Sequence, residues 1–312
     1  MTIRLGYQIP NFTYPGVPNG ELFDTVVAQA REAEAAGFDT VLVMDHFYQL
    51  PGIGEPEAAM LEAYTTLGAL ASATSTIQLS TLVTGNTYRN PALLAKTVTT
   101  LDVVSKGRAV LGIGAGWYER EHHDMGFEFG TFGQRFERLE EALTIIAPML
   151  RGEPATVDGS WYQAREPLNN PRVRDDVPIM LGGAGEQKTF RLAARFAQHM
   201  NIICDIDDLA RKVSVLRQRC EEIGRDPATL ATSFLIMGMV GETEQEAKEL
   251  GETIPEDRRN RAFLGTPGQV AEQVQERILD AGVDGVCINL IRNGHRPGVV
   301  SAVGAALKPL VA

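Results

Sequence analysis

Short apolar runs alternate with longer amphipathic stretches along most of the chain. A short apolar run bounded by turn residues indicates a buried strand, and apolar positions three and four apart indicate a helix with one buried face. We predict strands at Arg4–Ile9, Thr40–Met44, Ile77–Val83, Ala109–Ile113, Ile179–Leu181, Met200–Cys204, Thr232–Val240 and Gly285–Asn289. We predict helices at Leu22–Ala36, Tyr64–Ala73, Pro91–Val104, from Phe132, from Glu186, at Leu209–Ile223, from Thr243, at Pro267–Asp280 and at Val299–Leu310.

This alternation of strands and helices predicts an α/β fold. An open doubly wound sheet would fit the alternation, but eight repeated units favour a closed (β/α)8 barrel, the TIM barrel. Asp158-Gly159, between Thr156-Val157 and Trp161-Tyr162, predicts a small β-hairpin inserted into the barrel. Because no linker or low-complexity segment interrupts the pattern, we expect residues 1–312 to form one domain.

The composition of the chain disfavours several kinds of binding partner. The net charge of −11 and the lack of a Lys/Arg block disfavour nucleic acid, which is bound by neutralising phosphates. No apolar run is long enough to span a membrane, and the N-terminal sequence lacks a signal-peptide pattern. The three cysteines are far apart and odd in number, which fits neither a disulfide framework nor a metal site. We therefore expect a cytoplasmic protein that acts on a small molecule. We also expect a homodimer.

Chemistry-bearing residues follow several predicted strands, where a barrel assembles its active site. Glycines at 112, 114 and 116 end the fourth strand and precede the dense polar cluster Trp117–Asp124. Gly182–Gly185 ends the fifth strand and precedes a helix, whose N–H groups can hold a phosphate. Asp45-His46 follows the second strand. A tight turn alone would also explain the first glycine cluster, and the dinucleotide fingerprint and the P-loop are both absent.

Several barrel chemistries are disfavoured. No lysine lies on a predicted strand, which argues against a Schiff base, and no G-x-S-x-G motif supplies a nucleophilic serine. The H-E-x-x-H motif is absent, and the adjacent residues His122-His123-Asp124 point apart, so we expect no metal site. Chemistry carried by a redox cofactor, without a covalent protein nucleophile, remains.

The motifs Asp45-His46, STLVTGNTYRNP from Ser80, LGIGAGWYEREHHDMG, GGAG and GTPGQVAEQV together resemble the luciferase-like monooxygenase superfamily. The resemblance is greatest to its branch of oxidoreductases that use the deazaflavin coenzyme F420, and it covers nearly the whole chain. It implies a barrel of the bacterial luciferase-like type. Because flavin mononucleotide (FMN) enzymes share much of the pattern, FMN is the alternative cofactor.

The resemblance also implies site residues. His46 matches the histidine that polarises or deprotonates the substrate, and a non-proline cis peptide is expected at Thr81–Leu82. In the sugar-phosphate dehydrogenase branch of the family, a glutamate proton donor follows the glycine loop; Trp117 stands there in this chain, so that chemistry is not carried over. Trp117 forms an apolar wall beside the ring or packs under the loop. Glu119 lies nearby in a different register and is a second catalytic candidate. The expected cofactor contacts are Asp45, Thr81, Leu82, Thr84, Gly114, Ala115, Gly116, Trp117, Arg120, Gly182, Gly183, Ala184 and Gly185.

Three functional hypotheses follow. The first is an F420-dependent oxidoreductase that moves a hydride between the deazaflavin and an organic substrate. The second is a two-component monooxygenase that uses reduced FMN, and the third is a barrel that binds a flavin without turnover. Loops at Gln49–Met60 and Ile254–Phe263 are expected to select the substrate. Arg120, Lys188 and Arg191 are expected to form a basic rim for the cofactor's carboxylates.

Overall fold

The computed structural model describes residues 3–254 and 262–311, so most of the predicted loop Ile254–Phe263 lies outside the described residues. The strands are β1 Leu5–Ile9, β2 Thr40–Val43, β3 Gln78–Thr81, β4 Thr84–Gly85, β5 Ala109–Gly114, β6 Thr156–Asp158, β7 Gln163–Arg165, β8 Ile179–Gly183, β9 His199–Ile202, β10 Ala231–Val240, β11 Ala262–Gly265 and β12 Gly285–Asn289. The helices are α1 Leu22–Ala36, α2 Ala63–Ala73, α3 Pro91–Val104, α4 Glu119–Met125, α5 Phe132–Arg151, α6 Thr189–Phe196, α7 Leu209–Glu221, α8 Glu244–Glu252, α9 Pro267–Val274 and α10 Val299–Val311.

Eight parallel strands close into a barrel in the order β1, β2, β3, β5, β8, β9, β10, β12. Closure is made by β12, which pairs with β1 from Leu5↔Val286 to Gln8↔Asn289. The predicted (β/α)8 barrel is therefore confirmed, and the open sheet is excluded. That residues 1–312 form a single domain stays a prediction.

Two apolar layers fill the fold. The outer layer lies between the strands and the surrounding helices, where α1 buries Leu22, Val26, Ala30 and Ala33, the face that its sequence predicts. The inner layer lies inside the barrel and includes Leu42, Leu82, Val110, Met180 and Cys287. Since the inner layer fills the interior, a ligand can enter only above it, at the carboxyl ends of the strands.

The hairpin insertion is present, but its second strand begins later than predicted. β6 and β7 are antiparallel, and Trp161 and Tyr162 lie in the connecting loop rather than in the strand. The carboxylate of Glu141 on α5 accepts the backbone N–H groups of residues 160–162 at 2.8–3.0 Å. These groups therefore do not pair across the hairpin.

Some local elements differ from the sequence-based expectation. The polar cluster after β5 contains a helix, α4, and α6 begins at Thr189, after a turn, rather than at Glu186. The non-proline cis peptide is Leu82–Val83 and not Thr81–Leu82 as expected, because the sequence motif does not fix which bond of this segment is cis. No helix within the described ranges is long and apolar enough to cross a membrane.

Candidate active site

A cavity of about 730 Å³ opens at the carboxyl ends of the barrel strands. This size is within the range of small-molecule and cofactor sites. Of the residues predicted to bind the cofactor, those that line it are Asp45, Leu82, Thr84, Gly114, Ala115, Gly116, Trp117, Gly182, Gly183, Ala184 and Gly185, together with His46. Thr81 and Arg120 do not line it: Thr81 donates its hydroxyl to the carbonyl of Gly112, and Arg120 pairs with Asp124.

His46 is held in a fixed orientation at the cavity wall. Its Nδ1 lies 2.8 Å from Oε2 of Glu121, and the residue is 8% exposed. An ionised carboxylate can only accept a hydrogen bond, so Nδ1 carries the proton and a neutral imidazole keeps its lone pair on Nε2. No partner of Nε2 is recorded among the described residues. The tautomer assigned by this contact makes Nε2 available to a ligand.

Glu121 is the anchor of His46 and was missed from the sequence. The residue is fully buried, and its carboxylate also accepts the backbone N–H of Phe47 at 2.6 Å, that of Tyr48 at 2.9 Å and the hydroxyl of Tyr88 at 2.7 Å. Burial raises the pKa of Glu121, but the hydrogen bonds and the charge of His46 outweigh burial, so the pKa lies below its usual value. Glu121 is therefore an anion at neutral pH.

The structure does not bring Glu119, the glutamate nominated from the sequence, to His46. Residues two apart on a helix point about 200° apart, so Glu119 and Glu121 lie on opposite sides of α4. The Glu119 side chain is 62% exposed and lies 3.7 Å from His123. The helical period of residues 119–125 is the signal that would have selected Glu121, because it places residue 121 on the inward face.

Asp45 lines the cavity, but its charge is already compensated. Arg89 donates to its two oxygens at 2.5 and 3.1 Å, and the hydroxyl of Thr84 donates to one of them. Arg89 also reaches Glu62 at 2.6 Å. Burial lowers the pKa of Arg89, but the carboxylate of Asp45 more than offsets this and raises the pKa overall. Asp45 and His46 thus belong to two separate hydrogen-bond networks.

Two of the glycines predicted to contact the cofactor line the cavity and also make room for the side chain of Val83. A Cβ at Gly114 would lie 3.1 Å from the Val83 side chain, and one at Gly182 would lie 3.0 Å from it. Gly116 has a φ of +82° and a Cβ there would lie 2.7 Å from the Thr87 hydroxyl. Val83 therefore forms an apolar part of the cavity floor, beside the glycines of β5 and β8.

Comparison with known proteins now identifies the family. The model of the luciferase-like monooxygenase family matches residues 3–254. The chain belongs to the luciferase-like monooxygenase family. It is 36% identical over 197 residues to the F420-dependent glucose-6-phosphate dehydrogenase of Microbacterium testaceum, covering 63% of this chain and 55% of the relative. The chain spans about half the length of the curated dehydrogenases of that name that it matches.

Solved structures share the fold of this luciferase-like monooxygenase family member. One is the coenzyme F420-dependent tetrahydromethanopterin reductase of Methanopyrus kandleri, with a TM-score of 0.80, 17% identity and 100% of both chains covered. Another is the oxygenating constituent of 3,6-diketocamphane monooxygenase from Pseudomonas putida in complex with FMN. It has a TM-score of 0.79 and 18% identity, and covers 100% of this chain and 99% of the other. At these identities the likeness shows the fold alone.

Of the three cations expected at the cavity of this family member, Lys188 lies near it, and Arg135, which was not expected, lines it. Arg135 on α5 lines the cavity and donates to the carbonyls of Gly116 and Gly130 at 3.1 and 3.0 Å. Lys188 lies 5.8 and 5.6 Å from the ring centres of Phe132 and Phe136, both of which line the cavity. Arg191, like Arg120, does not line it. Arg135 was missed because its position on α5 resembles an ordinary polar helix face.

The remaining histidines of the polar cluster do not form a metal site. Nδ1 of buried His122 donates to the carbonyl of Tyr118 at 2.8 Å, and Nε2 lies 2.6 Å from the Thr87 hydroxyl. Burial lowers the pKa of His122, which keeps it neutral. Within residues 3–254 and 262–311, no group of His, Cys, Asp and Glu could hold a metal ion. His122 therefore fastens α4, which carries Glu121, to the loop after β4.

Proposed function

We propose that this protein is an F420-dependent oxidoreductase that transfers a hydride between the deazaflavin and an organic substrate. The observation that carries the proposal is the cavity-facing His46, whose Nδ1 is anchored by the buried Glu121. Such a histidine can pass a proton as a hydride moves, because its Nε2 is available to a ligand and the Glu121 carboxylate stabilises the imidazolium. The similarity to a relative named as F420-dependent supports the choice of cofactor.

The residues that line the cavity fit a deazaflavin. The apolar floor at Leu82 and Val83 suits a flat ring, and bare backbone at Gly182–Gly185 suits a phosphate. Lys212 lies behind this loop, where its Nζ donates to the carbonyl of Ala184 at 3.0 Å and pairs with Glu186 at 2.7 Å. Arg135 and Lys188 would favour the anionic part of the cofactor.

The bound deazaflavin would supply a carbon that accepts or donates the hydride. In the oxidation direction, a substrate alcohol loses a hydride from carbon and a proton from oxygen, and Nε2 of His46 takes that proton. Glu121 stabilises the resulting imidazolium by charge and by its hydrogen bond to Nδ1. Because the pKa of Glu121 is lowered, it stays ionised and does not itself take the proton. In the reverse direction, the imidazolium returns the proton to the carbonyl oxygen.

Titrating F420 and FMN into the purified protein tests the cofactor. We expect F420, followed by its fluorescence, to bind more tightly than FMN, and raising the salt concentration to weaken F420 binding by screening its carboxylates. Equal affinities without salt dependence would contradict the assignment. Tighter FMN binding would favour a reduced-flavin monooxygenase, the activity that the family name and the FMN-bound neighbour suggest.

Replacing His46 tests the chemistry. We expect His46→Gln to lower kcat by about 10²–10⁴, the usual contribution of general acid–base catalysis, while the Kd for F420 changes by less than about threefold. His123→Gln is the matched control, because the side chain of His123 is 65% exposed and outside the cavity. A nearly unchanged kcat for His46→Gln would refute the catalytic role of His46.

The oligomeric state and the location in the cell were also expected from the sequence. We propose that the protein is a homodimer and that it acts in the cytoplasm. Light scattering coupled to gel filtration tests the first, and a single species of 33.9 kDa, the mass of one chain, would refute it.

A further inference from the structure

The wall of the cavity next to His46 is apolar. The side chains that form it come from the ends of three strands, the loop after β2 and the loop after β5. They are Met44, Leu50, Ile53, Trp117, Met237 and Ile291. The Trp117 ring centre lies 5.7 Å from that of His46, so the wall reaches the reacting group itself.

Cationic side chains are scarce around this cavity. Among the lining residues that the structure describes, Arg135 is the one lysine or arginine, and it already donates to two carbonyls near Gly116. Asp45 is the lining carboxylate, and Arg89 neutralises it. A phosphate on the substrate needs strong donors such as arginine forks or lysines, and burying it without them is costly.

The polar side chains on the floor mainly satisfy one another. Asn289 donates to Gln8 at 2.9 Å, and Gln8 donates to the carbonyl of Leu82 at 3.3 Å. Within the described part of the chain, no hydrogen-bond partner reaches the buried Oδ1 of Asn289. A substrate therefore finds His46 Nε2 and few other polar groups near the reacting centre.

The mouth of the cavity is also apolar. Trp117 and Phe132 line it and are 59% and 62% exposed, which is unusual for large aromatic side chains. Exposed apolar groups at a cavity mouth commonly mark the place where an apolar ligand binds.

We propose that the substrate is an uncharged, largely apolar alcohol or the matching ketone, rather than a sugar phosphate. This inference rests on the proposed function. In the oxidation direction, the carbinol C–H bond breaks with its electron pair going to the deazaflavin, the O–H proton goes to His46, and the C–O bond becomes a carbonyl. The apolar remainder of the substrate packs against Leu50, Ile53 and Trp117.

The fluorescence of Trp117 provides a binding assay that does not depend on turnover. The sequence has two tryptophans, and Trp161 does not line the cavity, so Trp161→Phe leaves Trp117 as the single reporter. The F420-loaded variant is titrated with 2-butanone through 2-octanone and with glucose 6-phosphate. Collisional quenching of N-acetyltryptophanamide by each probe is measured in parallel and subtracted.

We expect saturable quenching by the ketones, with Kd falling about three- to fourfold for each added methylene until the cavity is full, since each buried CH₂ contributes about 0.8 kcal/mol. Added salt should not weaken ketone binding. Glucose 6-phosphate should cause no saturable change. The inference would be overturned if the Kd of the ketones did not change with chain length. It would also be overturned if glucose 6-phosphate bound saturably and added salt weakened that binding.

A charge placed in the wall gives a second test. Ile53→Asp should weaken 2-octanone binding at least tenfold, whereas Leu168→Asp, at a side chain that is 86% exposed and outside the cavity, should not change it. Equal ketone affinities in these two variants would contradict the proposed wall. Circular dichroism confirms that both variants fold.

Cofactor affinity is measured separately by deazaflavin fluorescence. If F420 binds and glucose 6-phosphate is oxidised, the substrate inference fails and the proposed function stands. If F420 does not bind but the methylene series holds in the cofactor-free protein, the proposed function fails and the apolar site stands.

Discussion

Glu121→Gln tests whether the buried carboxylate sets the protonation pattern of His46. The amide oxygen can still accept the N–H groups of Phe47 and Tyr48, as Oε1 does now. The amide nitrogen then replaces the oxygen that faces Nδ1 of His46 and the hydroxyl of Tyr88. Because an NH₂ group donates, the neutral imidazole must accept at Nδ1 and carry its proton on Nε2.

The expected magnitudes follow from these contacts. Two hydrogen bonds to a charged acceptor are lost or reversed, each contributing about 1 kcal/mol more than a neutral one, so we expect a loss of about 2 kcal/mol in the free energy of unfolding. An imidazole with its proton on Nε2 cannot accept the substrate proton there. We therefore expect kcat for alcohol oxidation to fall by about 10²–10⁴, with the Kd of the cofactor nearly unchanged.

The decisive assay is the tautomer itself. Long-range ¹H–¹⁵N correlation NMR on histidine-labelled protein, with His46 assigned from His46→Gln, should show the proton on Nδ1 in the wild type and on Nε2 in Glu121→Gln. Glu119→Gln is the matched comparison, and we expect less than a threefold change in its kcat. An unchanged tautomer and kcat in Glu121→Gln, or a larger loss in Glu119→Gln, would refute the assigned positioning role of Glu121.

The loss of stability in Glu121→Gln should depend on pH. The pKa of Glu121 is lower in the folded protein than in the unfolded chain, so its contribution to stability is present above about pH 4.3 and is lost as the pH falls through the folded value. The stability difference between wild type and Glu121→Gln should therefore be largest near neutrality and narrow in acid. Urea unfolding at several pH values measures it.

Three further predictions concern the stability of the fold. Burial lowers the pKa of His199 to about 3, so between pH 6.5 and that value the unfolded chain binds a proton that the folded protein does not. In this window, the free energy of unfolding should rise with pH more steeply for wild type than for His199→Gln, and the two slopes should differ by up to about 1.4 kcal/mol per pH unit. Urea unfolding measures both slopes. Equal slopes for the two proteins would contradict this prediction. Gly112→Ala should abolish soluble folded protein, because its Cβ would lie 1.9 Å from the carbonyl oxygen of Thr81. Gly68→Ala, whose Cβ meets nothing within 4 Å and which lies in α2, should instead raise stability by about 1 kcal/mol, as thermal melts will show.

The barrel could be predicted from the sequence because many strands and helices each show their own hydrophobic pattern. Strand runs such as Ala109–Ile113 are buried on both faces, so every residue of β5 contributes to the apolar pattern. Helix α1 combines a periodic apolar face with a glycine at its end, where φ is +86°. Signals of this kind repeat along the chain, so an error in one element does not change the overall fold.

The site was only partly predictable because its key contacts are long-range and involve unusual residues. His46 was found because it directly follows a strand, and strand ends converge in any barrel. Glu121 was not found, since a fully buried glutamate is rare and its partners lie as far as 75 positions away. The ion pair of Asp45 with Arg89 likewise joins residues that are 44 positions apart, so no local sequence pattern predicts it.

Val83 and the two glycines beside it limit how this cavity can be altered. A Cβ at position 114 or 182 would lie 3.1 or 3.0 Å from the side chain of residue 83, which would have to shift by a few tenths of an ångström. The three positions are therefore coupled, and a larger residue at position 114 or 182 is best accommodated by a smaller residue at position 83. In divergent relatives these positions should covary. In the laboratory, a deeper or reshaped floor would need paired, mutually compensating substitutions, because single changes either clash or leave a void.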